Sequence, residues 1–262
     1  MIRATTFAFQ PYHYYTPDSI CYEVVISATT DVFNHYGGHQ MKPSIIDLLI
    51  RPGAFFQNAM NEKESLKTPA LIILAGGIVG AMYGYLIGGL TGQLLSAIMP
   101  AMSTIIAITT VLGALIGTFI FWVIWAGVIY AFSSVFKGEG TFRRTLEFVG
   151  YGYLPQVFGT LITFVIALDY IPRIHVPQLS AAAAQNADLI TAAVKALMHD
   201  PAMMELSQIA MIISMVFLLW SANIWIFAMQ HARKLSPRDA ALCVSIPVVL
   251  YILYMVYSIT VM

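Results

Sequence analysis

The chain has 262 residues, of which 59% are hydrophobic and 10% charged, with a mean hydropathy of +0.77. Water-soluble domains carry about 25% charged residues, so the composition excludes an ordinary soluble domain and predicts an all-α integral membrane protein. Thirteen basic residues balance thirteen acidic ones, which excludes a global attraction to nucleic acid.

Residues 1–40 differ from the rest. They are polar and aromatic and hold His13, His35 and His39. The opening "MIRATTFAFQPYHYYTPDSI" lacks the continuous apolar stretch of a secretory signal. His35-Tyr-Gly-Gly-His39 reads either as a metal-binding spacing or as a plain tail. Gly37-Gly38 can also be encoded as GGA GGT, the sequence of a prokaryotic ribosome-binding site, just ahead of Met41. On that reading Met41 is the natural start and residues 1–40 are a misassigned extension. The two cysteines, Cys21 and Cys243, do not suggest a disulfide framework, because Cys243 falls in an apolar run.

Residues 41–68 are too short and too interrupted to cross a membrane. Ile45, Ile46, Leu48, Leu49 and Ile50 precede Arg51-Pro52 and the Phe55-Phe56 pair. They predict amphipathic helices that lie at the membrane surface or pack on other helices. A five-span membrane domain follows over 69–262. Its spans run by hydropathy from about Pro69 to Leu90, Ile105 to Phe132, Tyr151 to Ile171, Ser207 to Phe227 and Ala240 to Met262. The second is long enough to tilt or project. Ser236-Pro237-Arg238-Asp239 has the residues of a helix start. Between spans three and four, Leu189, Ile190, Ala193, Val194 and Leu197 recur at helical spacing. They predict an amphipathic helix within 172–204, on the ends of the spans or on the outer leaflet.

In span one Gly76, Gly80, Gly84 and Gly88 recur every four residues, and span two carries Gly113 and Gly117. Such small-residue spacing allows close helix approach. It is open to three readings: packing within the chain, a homo-oligomer face, or a pore lining.

Lysine and arginine sort by loop. Lys42, Arg51, Lys63, Lys67, Lys137, Arg143, Arg144, Arg233, Lys234 and Arg238 fall on one side; Arg173 and Lys195 fall on the other. The positive-inside rule then places the amino end in the cytoplasm and the carboxyl end outside, in the cell membrane.

The stretch "FKGEGTFRRTLEFVGYGYLP", Phe136 to Pro155, thereby becomes a cytoplasmic loop. Gly138 and Gly140 predict a flexible turn. Phe142, Leu146, Val149 and Tyr153 share a helical face, Gly150 and Gly152 loosen that helix, and Pro155 bends the entry to span three. Arg143 and Arg144, with Lys137, read either as a site for an acidic partner or as anchors on lipid phosphates.

This stretch is similar to the Yip family, polytopic membrane proteins named for interacting with Ypt and Rab GTPases, and especially to its prokaryotic members. Gly138, Gly140, Phe142, Leu146, Gly150, Tyr151 and Pro155 carry the resemblance. "DLLIRPGAFFQNAMNEKESLKTPALIIL" resembles the family's amino end. The resemblance covers about Met41 to Met262 and implies five spans and a cytoplasmic amino end. The long cytoplasmic amino-terminal domain of the eukaryotic members is not expected here, so the resemblance does not carry over their GTPase-linked trafficking role.

Ionisable residues are nearly missing from the spans. Asp169 lies toward the outer end of span three, as a candidate ion site or a group in headgroup water. Beyond residues 1–40 no metal-ligand spacing, paired carboxylates or nucleophile triad appears, so no cofactor is implied and an enzyme is not expected. The expectation is a non-catalytic protein that organises membrane or binds protein and lipid partners at its cytoplasmic face. The alternative is a small solute or ion transporter or channel subunit.

Overall fold

The computed structural model describes residues 44–96, 101–180 and 186–261. The extension 1–40, its histidines, Cys21, Met41 and Lys42 lie outside the described residues. Everything described is helix, turn or loop.

Two short helices, α1 (Ile45–Ile50) and α2 (Pro52–Ala59), open the fold. Ser44 caps α1 in a capping box with Asp47, and Pro52 starts α2, where its missing N–H costs nothing. Leu48, Phe55 and Phe56 are buried, while Ile45, Ile46 and Ile50 are exposed. The pair therefore packs into the bundle with one face and keeps an apolar face outward. Neither sequence-based alternative excludes the other.

The helices α3 (Lys67–Leu95) and α4 (Ala101–Val135) form a long pair. A third crossing is broken into α5 (Phe142–Tyr151) and α6 (Leu154–Tyr170), ending in a 3-10 turn, Ile171–Arg173. Then come α7 (Ala187–Met198), α8 (Pro201–Ala232) and α9 (Pro237–Val261). Five helical segments are long and apolar enough to cross a membrane: Lys67–Leu95, Ser103–Val135, Phe142–Arg173, Pro201–Ala232 and Pro237–Ser258. Aliphatic side chains such as Leu71, Ile78, Ile108, Val165, Ile212 and Leu253 stand exposed along them, as lipid-facing surfaces do. With 35 residues, α4 is about 52 Å long against a hydrocarbon core of about 30 Å, the excess length that calls for tilt or projection. Ser236 accepts from the Asp239 N–H at 3.2 Å, the predicted start of α9.

Two clusters mark the ends of the bundle. At one end Phe56, Phe148, Trp225, Met229 and Cys243 share a core with Leu48. At the other, Leu197 of α7 packs on Leu90, Leu94, Ile174 and Met203. This helix therefore seats Ala193, Val194 and Leu197 of its predicted stripe on the span ends, while Leu189 stays exposed. Asp200 caps α8, accepting from the Ala202 and Met203 N–H groups at 3.0 and 3.2 Å and from His175 N–H at 3.2 Å. Burial pushes its carboxyl up, but these three backbone donors outweigh burial and hold its pKa below the ordinary value.

Candidate functional site

The charge of the described residues is divided between these ends. Over 44–67, 137–147 and 233–239 there are nine basic and six acidic residues, net +3; over 169–205 there are two basic and four acidic, net −2. The first group forms the basic end.

Its framework begins where α4 stops. Lys137 takes a left-handed φ of 57°, its N–H bonds to Ser134 O, and the Gly138 N–H bonds to Ser133 O. That is a Schellman helix end with Lys137 at its left-handed position, so the Lys137 backbone is structural while its side chain stays exposed. Gly140 has φ 103°, and a Cβ there would lie 2.4 Å from Ala232 O. Only glycine serves at that point.

Arg233, at the end of α8, then ties the turn down. Its buried guanidinium donates to Ser133 Oγ at 2.8 Å, to Gly138 O at 2.6 Å and to Gly140 O, and lies 4.2 Å from the Tyr130 ring centre. Glu139 N–H bonds to Arg233 O at 2.9 Å, and Lys234 Nζ meets Glu139 Oε2 at 3.0 Å. The sequence predicts a flexible turn here; the structure corrects this to a pinned one.

The two adjacent arginines part company. Arg143 is exposed, its side chain 64% accessible, with one long ion pair to Glu64 at 3.8 Å. Arg144 is only 9% exposed. It donates to Glu147 Oε2 at 3.0 Å, Glu62 O at 2.8 Å and Ala59 O at 3.4 Å, and stacks near Phe148. Its positive charge thus sits at the carbonyl end of α2. Both arginines alternate in sequence between partner site and lipid anchor. For Arg144 the structure corrects this: it clamps α2 to α5 and is not available to an outside partner. Glu64 bridges the same elements, accepting from Thr141 Oγ1 at 2.8 Å, while Thr141 caps α5 through the Arg144 N–H.

The remaining motif residues build the joint between α5 and α6. Trp122 Nε1 donates to Leu146 O at 3.0 Å and Trp225 Nε1 to Val149 O at 2.9 Å. A Cβ on Gly150 would lie 2.9 Å from the Trp122 nitrogen, and one on Gly152 2.2 Å from the Trp225 ring. The glycines therefore admit two indoles to the carbonyl end of α5. Pro155 is buried in the first turn of α6. Tyr151 packs edge-on to Phe55 at 5.1 Å, and Phe142 to Tyr130 at 5.4 Å.

A family model described as the Yip1 domain matches residues 46–259. The chain belongs to the Yip1 domain family. It is also 39% identical, over 124 residues, to an uncharacterized protein of Methanocaldococcus jannaschii; the match covers 47% of this chain and 88% of that one. No solved structure matches the chain. The Yip1 match runs from α1 almost to the end of α9, so the amino-terminal helix pair belongs to the domain as much as the spans do.

Within this Yip1 domain the glycine stripe does less uniform work than its spacing suggests. A Cβ on Gly84 or Gly88 would lie 3.0 or 2.8 Å from Thr110 of α4, and one on Gly76 3.2 Å from Val157 of α6. Gly80, Gly113 and Gly117 would meet nothing within 4 Å. Packing within the chain therefore accounts for Gly76, Gly84 and Gly88, and not for the other three. Every fourth residue drifts about 40° around a helix, so the row turns from α6 toward α4. Sequence reasoning missed Arg233 and Glu64 as structural residues. Arg233 was legible only as one more positive charge, since its partners lie about a hundred residues away.

Proposed function

We propose that this Yip1-domain membrane protein is non-catalytic, faces the cytoplasm with its basic end, and there binds an acidic surface, either anionic lipid or an acidic protein. One observation carries the reading: exposed cations are mounted on a locked frame. Arg51, Lys63, Lys67, Lys137 and Arg238 are exposed and make no ion pair among the described residues. The turn and helix pair that carry Lys63 and Lys137 are held by Arg144 and Arg233, so a partner meets cations on backbone anchors that are already set. The nine lysines and arginines at one end against two at the other support the orientation through the positive-inside rule. A transport reading would rest on Asp169, but that carboxylate is exposed and paired with Arg173 one turn on.

The test uses the double variant Lys137→Ala with Arg143→Ala, which spares the buried arginines. Protein in neutral-lipid nanodiscs is titrated with anionic and with neutral vesicles. Each juxtamembrane cation contributes about 1 kcal/mol toward anionic lipid, so the pair should cost about 30-fold in affinity. Equal binding by variant and wild type would overturn the lipid arm. Unchanged crosslinking of both to acidic proteins in native membranes would overturn the protein arm.

A further inference from the structure

Asn223 of α8 is an exposed amide in a crossing, and its side chain has no hydrogen-bond partner among the described residues. It lies ten residues before Arg233, about 15 Å along the helix from the basic end. The headgroup region on one side of a bilayer is about 5–8 Å deep, so Asn223 sits within the hydrocarbon layer. Helix Cβ atoms tilt toward the amino end, which in α8 is the end away from Arg233. The short amide therefore points deeper into the bilayer and cannot reach back to water. Hydroxyls at such depth satisfy themselves: Thr109, Thr118, Thr160 and Thr163 each donate to the carbonyl four residues earlier. An asparagine brings two donors and an acceptor, and leaving them unpaired in hydrocarbon is costly.

The residues along the same face narrow what satisfies it. Ile212, Val216, Leu219, Asn223, Ile226 and Gln230 follow one another at spacings of four, three, four, three and four. That is the core repeat of a heptad, the pattern by which two helices pack knobs into holes at a crossing angle of about +20°. Ile212, Val216 and Leu219 are 58, 57 and 57% exposed, so this part of the seam is not covered within the chain. The other face of α8 is already used: Leu218, Ala222, Trp225 and Met229 are buried in the bundle. Exposed aliphatic side chains alone are an ordinary lipid-facing surface. The amide at one seam position makes lipid a poor neighbour there and a helix with a matching donor and acceptor a good one.

We propose that this face of α8 is a dimer seam: a second copy of the chain lies against it, and the two Asn223 amides exchange N–H···O bonds across a two-fold axis along the bilayer normal. An amide is its own complement, because it carries both donor and acceptor. Copies inserted with one topology and related by such an axis have parallel α8 helices, so each seam residue meets its own counterpart. A single polar residue in an otherwise apolar heptad seam also fixes register and oligomer state. The seam uses a different helix from the glycine row. It is separate from the basic surface and stands or falls without it.

The test labels the full chain in separate donor and acceptor batches and reads energy transfer in neutral phosphatidylcholine vesicles as protein density falls. Wild type should follow a monomer–dimer equilibrium. Asn223→Leu should weaken that equilibrium about tenfold, the change expected for one or two interhelical amide bonds. It should melt as wild type in nanodiscs that hold one copy, since leucine in lipid leaves nothing unpaired. Under a mild oxidant, Val216→Cys and Leu219→Cys should each crosslink to themselves above the background set by Cys21 and Cys243. Val165→Cys and Leu253→Cys, equally exposed on other crossings, should not. Four results would overturn the proposal: wild-type transfer no higher than random mixing at every density; equal association of folded Asn223→Leu; crosslinking from Val165→Cys or Leu253→Cys in place of Leu219→Cys; or Leu219→Cys crosslinking in native membranes to a different protein and not to itself. The wild-type titration needs no variant to fold.

Discussion

Replacing Arg144 by alanine should damage the protein far more than replacing its neighbour Arg143. The Arg144 guanidinium satisfies Glu147 at 3.0 Å and the carbonyls of Glu62 and Ala59, and the Glu147 side chain is only 5% accessible. Alanine leaves that carboxylate buried without its cation, a loss of about 3–5 kcal/mol. Arg143 has one exposed pair at 3.8 Å, worth about 0–1 kcal/mol. In a chain of this size 1 kcal/mol moves the melting temperature by about 2–4 °C, so Arg144→Ala should lower it by roughly 6–20 °C. The assay is thermal unfolding in neutral nanodiscs, with limited trypsinolysis at Lys63 reporting release of the α1 and α2 segment. Arg144→Met with Glu147→Leu should recover most of the loss, because removing both charges of a buried pair is far less harmful than removing one. If Arg144→Ala melts within about 1 kcal/mol of Arg143→Ala, the clamp does not exist as described.

Arg233→Lys should keep the charge yet release the turn, since one ammonium cannot reach Ser133, Gly138 and Gly140 together; faster amide exchange at Gly138 to Thr141 measures this, and wild-type protection would refute it. Gly88→Leu should destabilise the pairing of α3 and α4 through its clash with Thr110, whereas Gly113→Leu should melt near wild type; equal effects of the two would overturn the division of the stripe. Asp200→Ala should cost about 1 kcal/mol as a lost helix cap. The native Asp200 pKa is depressed, so its contribution is present above the unfolded value near about 3.9 and fades as pH falls through the lower native value. Protection of the amides of His175, Ala202 and Met203 from exchange should accordingly weaken below about pH 4; pH-independent protection there would contradict it.

Why the crossings were legible and the site was not follows from what each depends on. A span needs only a long apolar run, and all five were visible as such. Their ends were not. Hydropathy places the fourth span at Ser207 to Phe227, but α8 runs Pro201–Ala232, because polar side chains end a hydropathy window without ending the backbone hydrogen bonds. The start of α8 was set instead by the Asp200 cap and Pro201. Arg143 and Arg144 are indistinguishable in one dimension. Only the carbonyls of Ala59 and Glu62, more than eighty residues earlier, decide which of them is buried.

That turn connects the motif of the sequence to the interior of the bundle. Any side chain at residue 152 would run into Trp225, whose ring a Cβ there would meet at 2.2 Å. Because residue 152 is glycine, Trp225 closes on the end of α5 and donates to Val149 O. The same indole then helps to line a cavity of about 210 Å³ among the crossings, 5.4 Å from the Tyr153 ring and 5.6 Å from that of Trp125. The break at Gly152 and Tyr153 also restarts the helix as α6, placing Gln156 one turn later on the cavity wall. A substitution such as Gly152→Ala therefore acts in two places at once: it forces Trp225 away from the Val149 carbonyl and moves the wall that faces Tyr153. The Gly-Tyr-Gly sequence, which reads as a loosened helix, is better understood as a close-packed joint whose geometry shapes the space above it.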